Sequence, residues 1–397
     1  MAKRQCAALQ RIYDAKGAQN VLFIVRSSTV HVVCMDAGNA MTHAFPLAAV
    51  CDQSKTSGSL HDITSCKATM DVHNADVAHF LVHMQERFLY HYILTLRPIL
   101  TLKLQSFRTL PRNALAICIA FTGPTMNKTR PNQVILIGEK TGKVMATPLE
   151  HVEGSDVQIK HLFGHTTSMI TDISMDPSGG RFVLSADRDE KIRISQFPQT
   201  ALIQSYCLGH ASAVVQVACC QRFQAENWMV SISKDGTIKL WDYLKSTMLD
   251  SKTLCGSENT QNGVYKLAMC PSTDCIAVIM GVHFALLRII KSENQPPTLE
   301  IFADNASTSL SESLAIESEP LDAIFVPKAS QIQSHLVIAY RQSPYLRCFQ
   351  LNDLATTPSI ASSTHFHAEN WFPFAEEEPS TESVDDELTK KKLKSAH

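Results

Sequence analysis

The sequence predicts an all-β chain in which one four-stranded unit is repeated around a ring. Three observations lead to this reading. Two back-to-back segments, residues 164–196 and 209–242, are similar to each other. Each opens with Gly-His, and the two histidines, His165 and His210, stand 45 positions apart. Strand-turn-strand patterns continue on both sides of the pair, making seven units in all.

A period of about 45 residues, with Gly-His opening a copy and Trp-Asp closing it, marks one four-stranded blade of a WD40 repeat. The expected fold is therefore a seven-bladed WD40 β-propeller with a disordered charged C-terminal tail. Histidine to turn aspartate is 24 positions in the first segment (His165 to Asp189) and 25 in the second (His210 to Asp235). The second segment keeps Trp241-Asp242, whereas Ser195-Gln196 stand at the matching positions of the first.

In chain order, the first unit is NVLFIVRSSTVHVVCMD, turning at 26–28, and the second is AHFLVHMQERFLYHYIL, turning near 85–86. The third, NQVILIGEKTGKVMATPL, turns at 139–142. The fourth and fifth are the two similar segments. The sixth, DCIAVIMGVHFALLRII, turns near Gly281, and the seventh, SHLVIAYRQSPYLRCFQL, turns at 341–344. Alternating apolar stretches at 115–121, 170–175, 214–218, 265–269 and 323–326 precede five of these hairpins, as half-buried strands would. Segment 6–13 is expected to complete the last blade and close the ring without a long open edge. A two-layer sandwich would not require a self-similar period.

The propeller is expected over residues 1–363, with Ser/Thr/Asn-rich loop insertions at 54–74 and 292–319. The tail, 364–397, carries an acidic run from Glu376 to Glu387, then Lys390, Lys391, Lys392 and Lys394. Such charge blocks stay disordered. The lysine cluster reads equally as a nuclear-localisation signal or as a solvated tail.

Composition sets the broad class. A net charge of −2 gives no global basic footprint for nucleic acid. The N-terminus lacks the apolar stretch of a secretory signal. The longest apolar run, 275–287, is shorter than the ~18 residues of a membrane span. A soluble intracellular protein without membrane contact is expected. The 12 cysteines include no CxxC pair, so reduced, buried thiols are expected rather than disulfides or a metal site.

His210, Ser231 or Ser233, Asp235 and Trp241 have the residue types of a buried hydrogen-bond chain that ties a blade together; His165 and Asp189 are the counterparts in the preceding copy. A Ser-His-Asp set also suggests a hydrolase, but no GxSxG elbow accompanies it. GxGxxG, GxxxxGK[ST] and HExxH are absent too, and GEKTG at 138–142 reads as a hairpin turn. No catalytic, cofactor-binding or metal-ligating residue is expected. The unusual element is SADRDEKIRIS at 185–195, where six of the seven residues from Asp187 to Arg193 are charged. Lys191, Arg193 and Ser195 alternate onto one strand face, which is expected to form a small positive ridge for docking; a solvated turn is the plainer alternative.

SADRDEKIRIS, with SYCLGH at 205–210 and SKDGTIKLWDY at 233–243, resembles the WD-repeat non-catalytic subunit of the eukaryotic tRNA (guanine-N7-)-methyltransferase, the family that includes the insect protein Wuho. Strong similarity covers 161–245; FRTLPRNALAICIAF and VILIGEKTGKV are weaker echoes, and the first two blades are divergent. The resemblance implies a non-enzymatic propeller paired as a heterodimer with a Rossmann-like catalytic subunit. That subunit would hold S-adenosylmethionine, bind most of the tRNA, and methylate N7 of a guanine, usually numbered 46. It further implies that Arg188, Glu190, Lys191 and Arg193 contact the partner, and that the pair works in the nucleus, with the cytoplasm as a further location. The competing expectation is a generic WD40 adaptor for another nuclear assembly, such as a ubiquitin ligase or chromatin complex.

Overall fold

The computed structural model describes residues 7–14, 19–26, 29–35, 40–46, 63–84, 87–122, 132–150, 159–177, 180–221, 226–254, 264–271, 273–281, 283–292, 295–304, 320–327, 334–340, 346–352 and 359–362. Turn residues 27–28, 85–86 and 341–345 and the tail 364–397 lie outside them.

Among the described residues, 28 strands form seven four-stranded antiparallel sheets, each taking its strands in chain order. The first sheet is β1 (Ala7–Asp14), β2 (Gln19–Arg26), β3 (Thr29–Met35) and β4 (Ala40–Pro46). The second is β5 (Ile63–Met70), β6 (Val77–Met84), β7 (Phe88–Thr95) and β8 (Thr101–Thr109). The third is β9 (Ala114–Thr122), β10 (Asn132–Glu139), β11 (Lys143–Pro148) and β12 (Lys160–Gly164). The fourth is β13 (Ile170–Met175), β14 (Phe182–Asp187), β15 (Lys191–Gln196) and β16 (Ile203–Leu208). The fifth is β17 (Val214–Cys219), β18 (Trp228–Ser233), β19 (Thr237–Asp242) and β20 (Thr247–Thr253). The sixth is β21 (Tyr265–Met269), β22 (Cys275–Met280), β23 (His283–Ser292) and β24 (Gln295–Asp304). The seventh is β25 (Pro320–Pro327), β26 (Ser334–Tyr340), β27 (Leu346–Asn352) and β28 (Ser359–Ser362). The first strands of neighbouring sheets abut all the way round, and β25 returns to β1. This is the seven-bladed propeller.

The core is divided among the seams between blades. Phe23 stacks on Phe80 at 4.6 Å between the first and second sheets. Leu184 and Ile194 meet Met229 and Trp241 between the fourth and fifth. Leu9 and Leu22 meet Val326 and Val337 where the seventh meets the first. Burying a large apolar side chain contributes about 1.5–3 kcal/mol, so these seams hold the ring together. Central strands such as β18 and β22 are buried along their whole length because a blade lies on each side. The cysteines among the described residues are buried thiols.

A repeated irregularity aligns the inner strands. The ladder skips a residue between Ile63 and Ser65, Ile170 and Asp172, Val214 and Gln216, and Pro320 and Asp322. A bulge re-aims the side chains beside it. In three sheets the residue after the skip reaches the next inner strand. Asp172 accepts the Val217 N–H at 3.0 Å. Gln216 donates to the Leu267 carbonyl at 3.1 Å and accepts its N–H at 2.9 Å. Asp322 accepts the Leu9 N–H at 3.0 Å, across the seam where the seventh sheet meets the first.

Three sequence expectations change. Segment 6–13 does not complete the last blade: β1 is the inner strand of the first sheet, and β28 supplies the seventh with its own outer strand. The expected insertion at 54–74 contains β5, whose mixed ITSCKATM sequence suits a strand lining the ring axis, with most of its side chains half-buried. The expected insertion at 292–319 contains β24, paired to β23.

The second sheet has no Gly-His or Trp-Asp marks, and it builds its own buried polar chain. His79 contacts Asp71 Oδ2 through Nε2 at 2.7 Å and His91 Nε2 through Nδ1 at 2.8 Å. A carboxylate only accepts, so His79 donates from Nε2, accepts at Nδ1 from His91, and leaves His91 Nδ1 without a proton. Burial, then electrostatic interaction with His79 and Arg108, pushes the His91 imidazole down to about 3.

Candidate partner surface and the blade networks

The fifth blade shows how the repeat is tied together. His210 meets Asp235 Oδ2 through Nδ1 at 2.9 Å and the Ser231 hydroxyl through Nε2 at 2.8 Å. Trp241 donates from Nε1 to the same hydroxyl at 2.8 Å. One proton order satisfies every group: indole N–H to serine oxygen, serine O–H to Nε2, Nδ1–H to the carboxylate. Ser233 stands beside this chain, donating to the Ser212 carbonyl at 3.0 Å and accepting the Asp235 N–H at 3.1 Å. Burial alone would raise the Asp235 carboxyl, but hydrogen bonds from His210, Thr237 and the Ala211 amide hold it well below the usual range. Gly209 lies against the Trp241 ring, where an added Cβ would come within 3.2 Å of it.

The fourth blade uses the same parts differently. His165 reaches the Ser185 hydroxyl through Nε2 at 2.8 Å, but its Nδ1 partner is Asp187 Oδ2, also at 2.8 Å, not Asp189. The expected role of Asp189 is thereby corrected. Asp187 sits two residues after Ser185 and points from the same strand face, so it reaches the histidine before the turn begins. Its Oδ1 accepts the N–H groups of Asp189 at 2.8 Å and Lys191 at 3.0 Å. Burial would raise the Asp187 carboxyl; the His165 and Lys191 contacts outweigh it and lower the pKa. Asp189 is half-buried, with Arg188 Nε 3.4 Å from its carboxylate.

The expected ridge of Lys191, Arg193 and Ser195 is also corrected. Arg193 and Ser195 are buried, and of the three only Lys191 is exposed. Arg193 donates from Nε to Ser195 Oγ at 2.8 Å, from Nη1 to the Gly164 carbonyl at 2.9 Å, and from Nη2 to the Thr200 carbonyl at 3.1 Å. Its guanidinium lies 4.5 Å from the Phe163 ring centroid. Strand alternation aims all three residues at the third blade, but the seam closes over the two that lie deeper. In the space that an indole would fill, Arg193 joins the third blade to the fourth.

The turn between β14 and β15 therefore presents Arg188, Glu190 and Lys191 to solvent. Lys191 Nζ donates to the Asp189 carbonyl at 3.2 Å. Glu190 has φ 74°, close to the 79° of Gly236 at the equivalent turn of the next blade. A side chain in this left-handed region costs about 1 kcal/mol relative to glycine. The two amides held by Asp187 fix the turn in that form. Its chemistry is that of a rigid, mixed-charge contact. At the β10–β11 turn, GEKTG forms a hairpin, with Gly142 N donating to Glu139 O at 3.0 Å. No group of three His, Cys, Asp or Glu side chains among the described residues is placed to hold a metal ion, and no helix there is long and apolar enough to cross a membrane.

The roles of Asp187, Phe163 and Thr200 escape a motif search. The period-2 spacing of Ser185 and Asp187 was a usable signal; Phe163 and Thr200 carried none.

A family model described as the tRNA methyltransferase TRM82 WD40 domain matches residues 132–346. The tRNA (guanine-N(7)-)-methyltransferase non-catalytic subunit TRM82 of Vanderwaltozyma polyspora is 32% identical over 124 residues, 31% of this chain and 27% of that protein. The WDR4 subunit of Homo sapiens, named likewise, is 31% identical over 145 residues, 36% of this chain and 33% of that protein. The wdr4 subunit of Xenopus laevis is 26% identical over 251 residues, 60% of this chain and 58% of that protein. The match thus spans about a third or less of the first two relatives. Among solved structures, a chain of a mitotic checkpoint complex superposes with a TM-score of 0.55, covering 88% of this chain and 90% of that one. At 14% identity that likeness concerns the fold alone.

Proposed function

The chain belongs to the tRNA methyltransferase TRM82 WD40-domain family, and on that premise we propose that it is the non-catalytic subunit of a tRNA (guanine-N7-)-methyltransferase. In this reading it binds a separate catalytic subunit as a heterodimer and holds it in its competent form, and the pair makes N7-methylguanosine at position 46 of tRNA. S-adenosylmethionine and most of the tRNA belong to the partner; the near-neutral charge of this chain agrees with that division. A rigid propeller that binds only the ordered form of an enzyme raises the population of that form through its differential affinity.

The observation that carries the reading is the 188–191 turn. It is the most charged of the described turns, it exposes Arg188, Glu190 and Lys191, and Asp187 fixes it from beneath. Arg188, Glu190 and Lys191 are the proposed contacts, and Arg193 supports them from within the seam. The lysine cluster at 390–394 favours the nucleus as the place of action, with the cytoplasm secondary. The test is to delete the protein and quantify N7-methylguanosine in tRNA. Unchanged levels would refute the proposal.

A further inference from the structure

We propose that the partner-binding surface continues from the 188–191 turn onto the outer strand β16, where Tyr206 and Leu208 form its apolar half. This rests on the reading given above, and it adds the chemistry of the contact: apolar side chains of the catalytic subunit flanked by a carboxylate.

The outer strands of a propeller are open edges, and proteins protect such edges with charge or proline. Such residues occur in the strand sequences of β4 (Pro46), β8 (Lys103), β12 (Lys160), β20 (Asp250 and Lys252) and β24 (Pro296 and Glu300). Among the described outer strands longer than four residues, only β16, IQSYCL, has neither. It is also the most apolar edge. Ile203 is 47% exposed, Tyr206 38% and Leu208 62%, and Leu202 just before it is 52% exposed. An apolar patch of this kind on an unprotected edge marks a contact surface.

The register ties this edge to the charged turn. Leu208 pairs with Lys191 and Tyr206 with Arg193, so all four point to one face of the blade. The opposite face of β16 is already occupied: Cys207 is buried, and Ser205 Oγ donates to the Tyr243 carbonyl of the fifth blade. Arg193 fills the inner part of the shared face, so Lys191, Tyr206 and Leu208 form its open rim. Arg188 is paired with Asp189 within the turn, whereas Lys191 is the exposed charge on the same face as Tyr206 and Leu208, so the complementary surface carries a carboxylate beside its apolar centre. The same face of a second copy presents a lysine rather than a carboxylate and is mismatched.

The test mixes the full chain with the catalytic methyltransferase subunit and measures the dissociation constant by calorimetry. Leu208→Asp and Tyr206→Ala are each expected to weaken binding by ~10-fold or more, as anchors at an interface centre do. Met41→Asp, at a 65% exposed residue of β4, is expected to leave it unchanged. Melting temperatures should stay at the wild-type value; if Leu208→Asp lowers its own, Leu208→Gln and Tyr206→Ala decide. Wild-type binding that Lys191→Glu weakens but both β16 changes leave intact overturns the extension while the function stands. A wild-type chain that does not bind the subunit removes the function itself. If the chain self-associates, and Leu208→Asp abolishes that without affecting the heterodimer, the occupant is a second copy and the proposal falls.

Discussion

Arg193 donates from Nε to the hydroxyl of Ser195 at 2.8 Å, inside the seam between the third and fourth blades. The residue equivalent to Ser195 in the next blade is Trp241, whose indole N–H goes to Ser231. The arginine and serine together replace one aromatic side chain, and the donated hydrogen bonds pass from Ser231 to Ser195 and the carbonyls of Gly164 and Thr200.

This separates two neighbouring cations by function. Arg193→Ala should lower stability by about 2–4 kcal/mol, because three backbone or hydroxyl acceptors lose a charged donor in a buried site. Lys191→Glu should leave the melting temperature alone and weaken the partner complex. Denaturant unfolding and calorimetric binding on both variants check this; an Arg193→Ala chain of wild-type stability would remove the strut.

Glu190→Gly should stabilise the isolated chain by about 0.5–1 kcal/mol, since it relieves a side chain held at positive φ. The same change should weaken partner binding by removing a proposed contact. Opposite signs in the two measurements are the expected signature.

Stability should fall on mild acidification, and His91 is one named cause. Its folded-state pKa is depressed to about 3, so below its ordinary value of 6.5 the unfolded chain takes up a proton that the folded chain refuses. The stabilisation is complete above that value and declines by roughly 1 kcal/mol per pH unit as the pH falls towards 3. Urea unfolding between pH 7 and pH 5 should show a shallower slope in His91→Gln than in the wild type. Asp187 and Asp235, both lowered, act further down: their contribution is full above the ordinary carboxylate value of 3.8 and is lost as the pH falls through their folded-state values.

Asp322→Ala should loosen the ring where it closes. It removes the acceptor of the Leu9 N–H and leaves that amide unpaired in the seam, at a cost of about 1–3 kcal/mol. Hydrogen exchange should quicken first in β1, and protection there equal to that of β18 would contradict the assignment.

Much of this was legible in the sequence, for physical reasons. Apolar runs broken by a turn revealed the hairpins of all seven blades, because strands packed between two blades are buried on both faces. That signal failed at β5 and β24. The first lines the ring axis, so polar and apolar residues mix and most of its side chains are half-buried; the second is an outer strand with one face open to solvent. Segment 6–13 read as a strand, but nothing in it said which edge it would join. The charged turn stood out as a string, yet strand alternation could not say how deep along the shared face the neighbouring blade would reach.

By itself the sequence determined the repeated unit, the number of blades, the two opening histidines and the place of the unusual turn. Each of these depends on residues near one another in the chain. Only the tertiary structure decided that Asp187 rather than Asp189 meets His165, that Arg193 turns inward while Lys191 stays out, and that Leu208 stands beside Lys191 on an open edge. The inward turn of Arg193 depends on how close the third blade comes, and the other two on which side chains the strand faces and the β15–β16 register bring together.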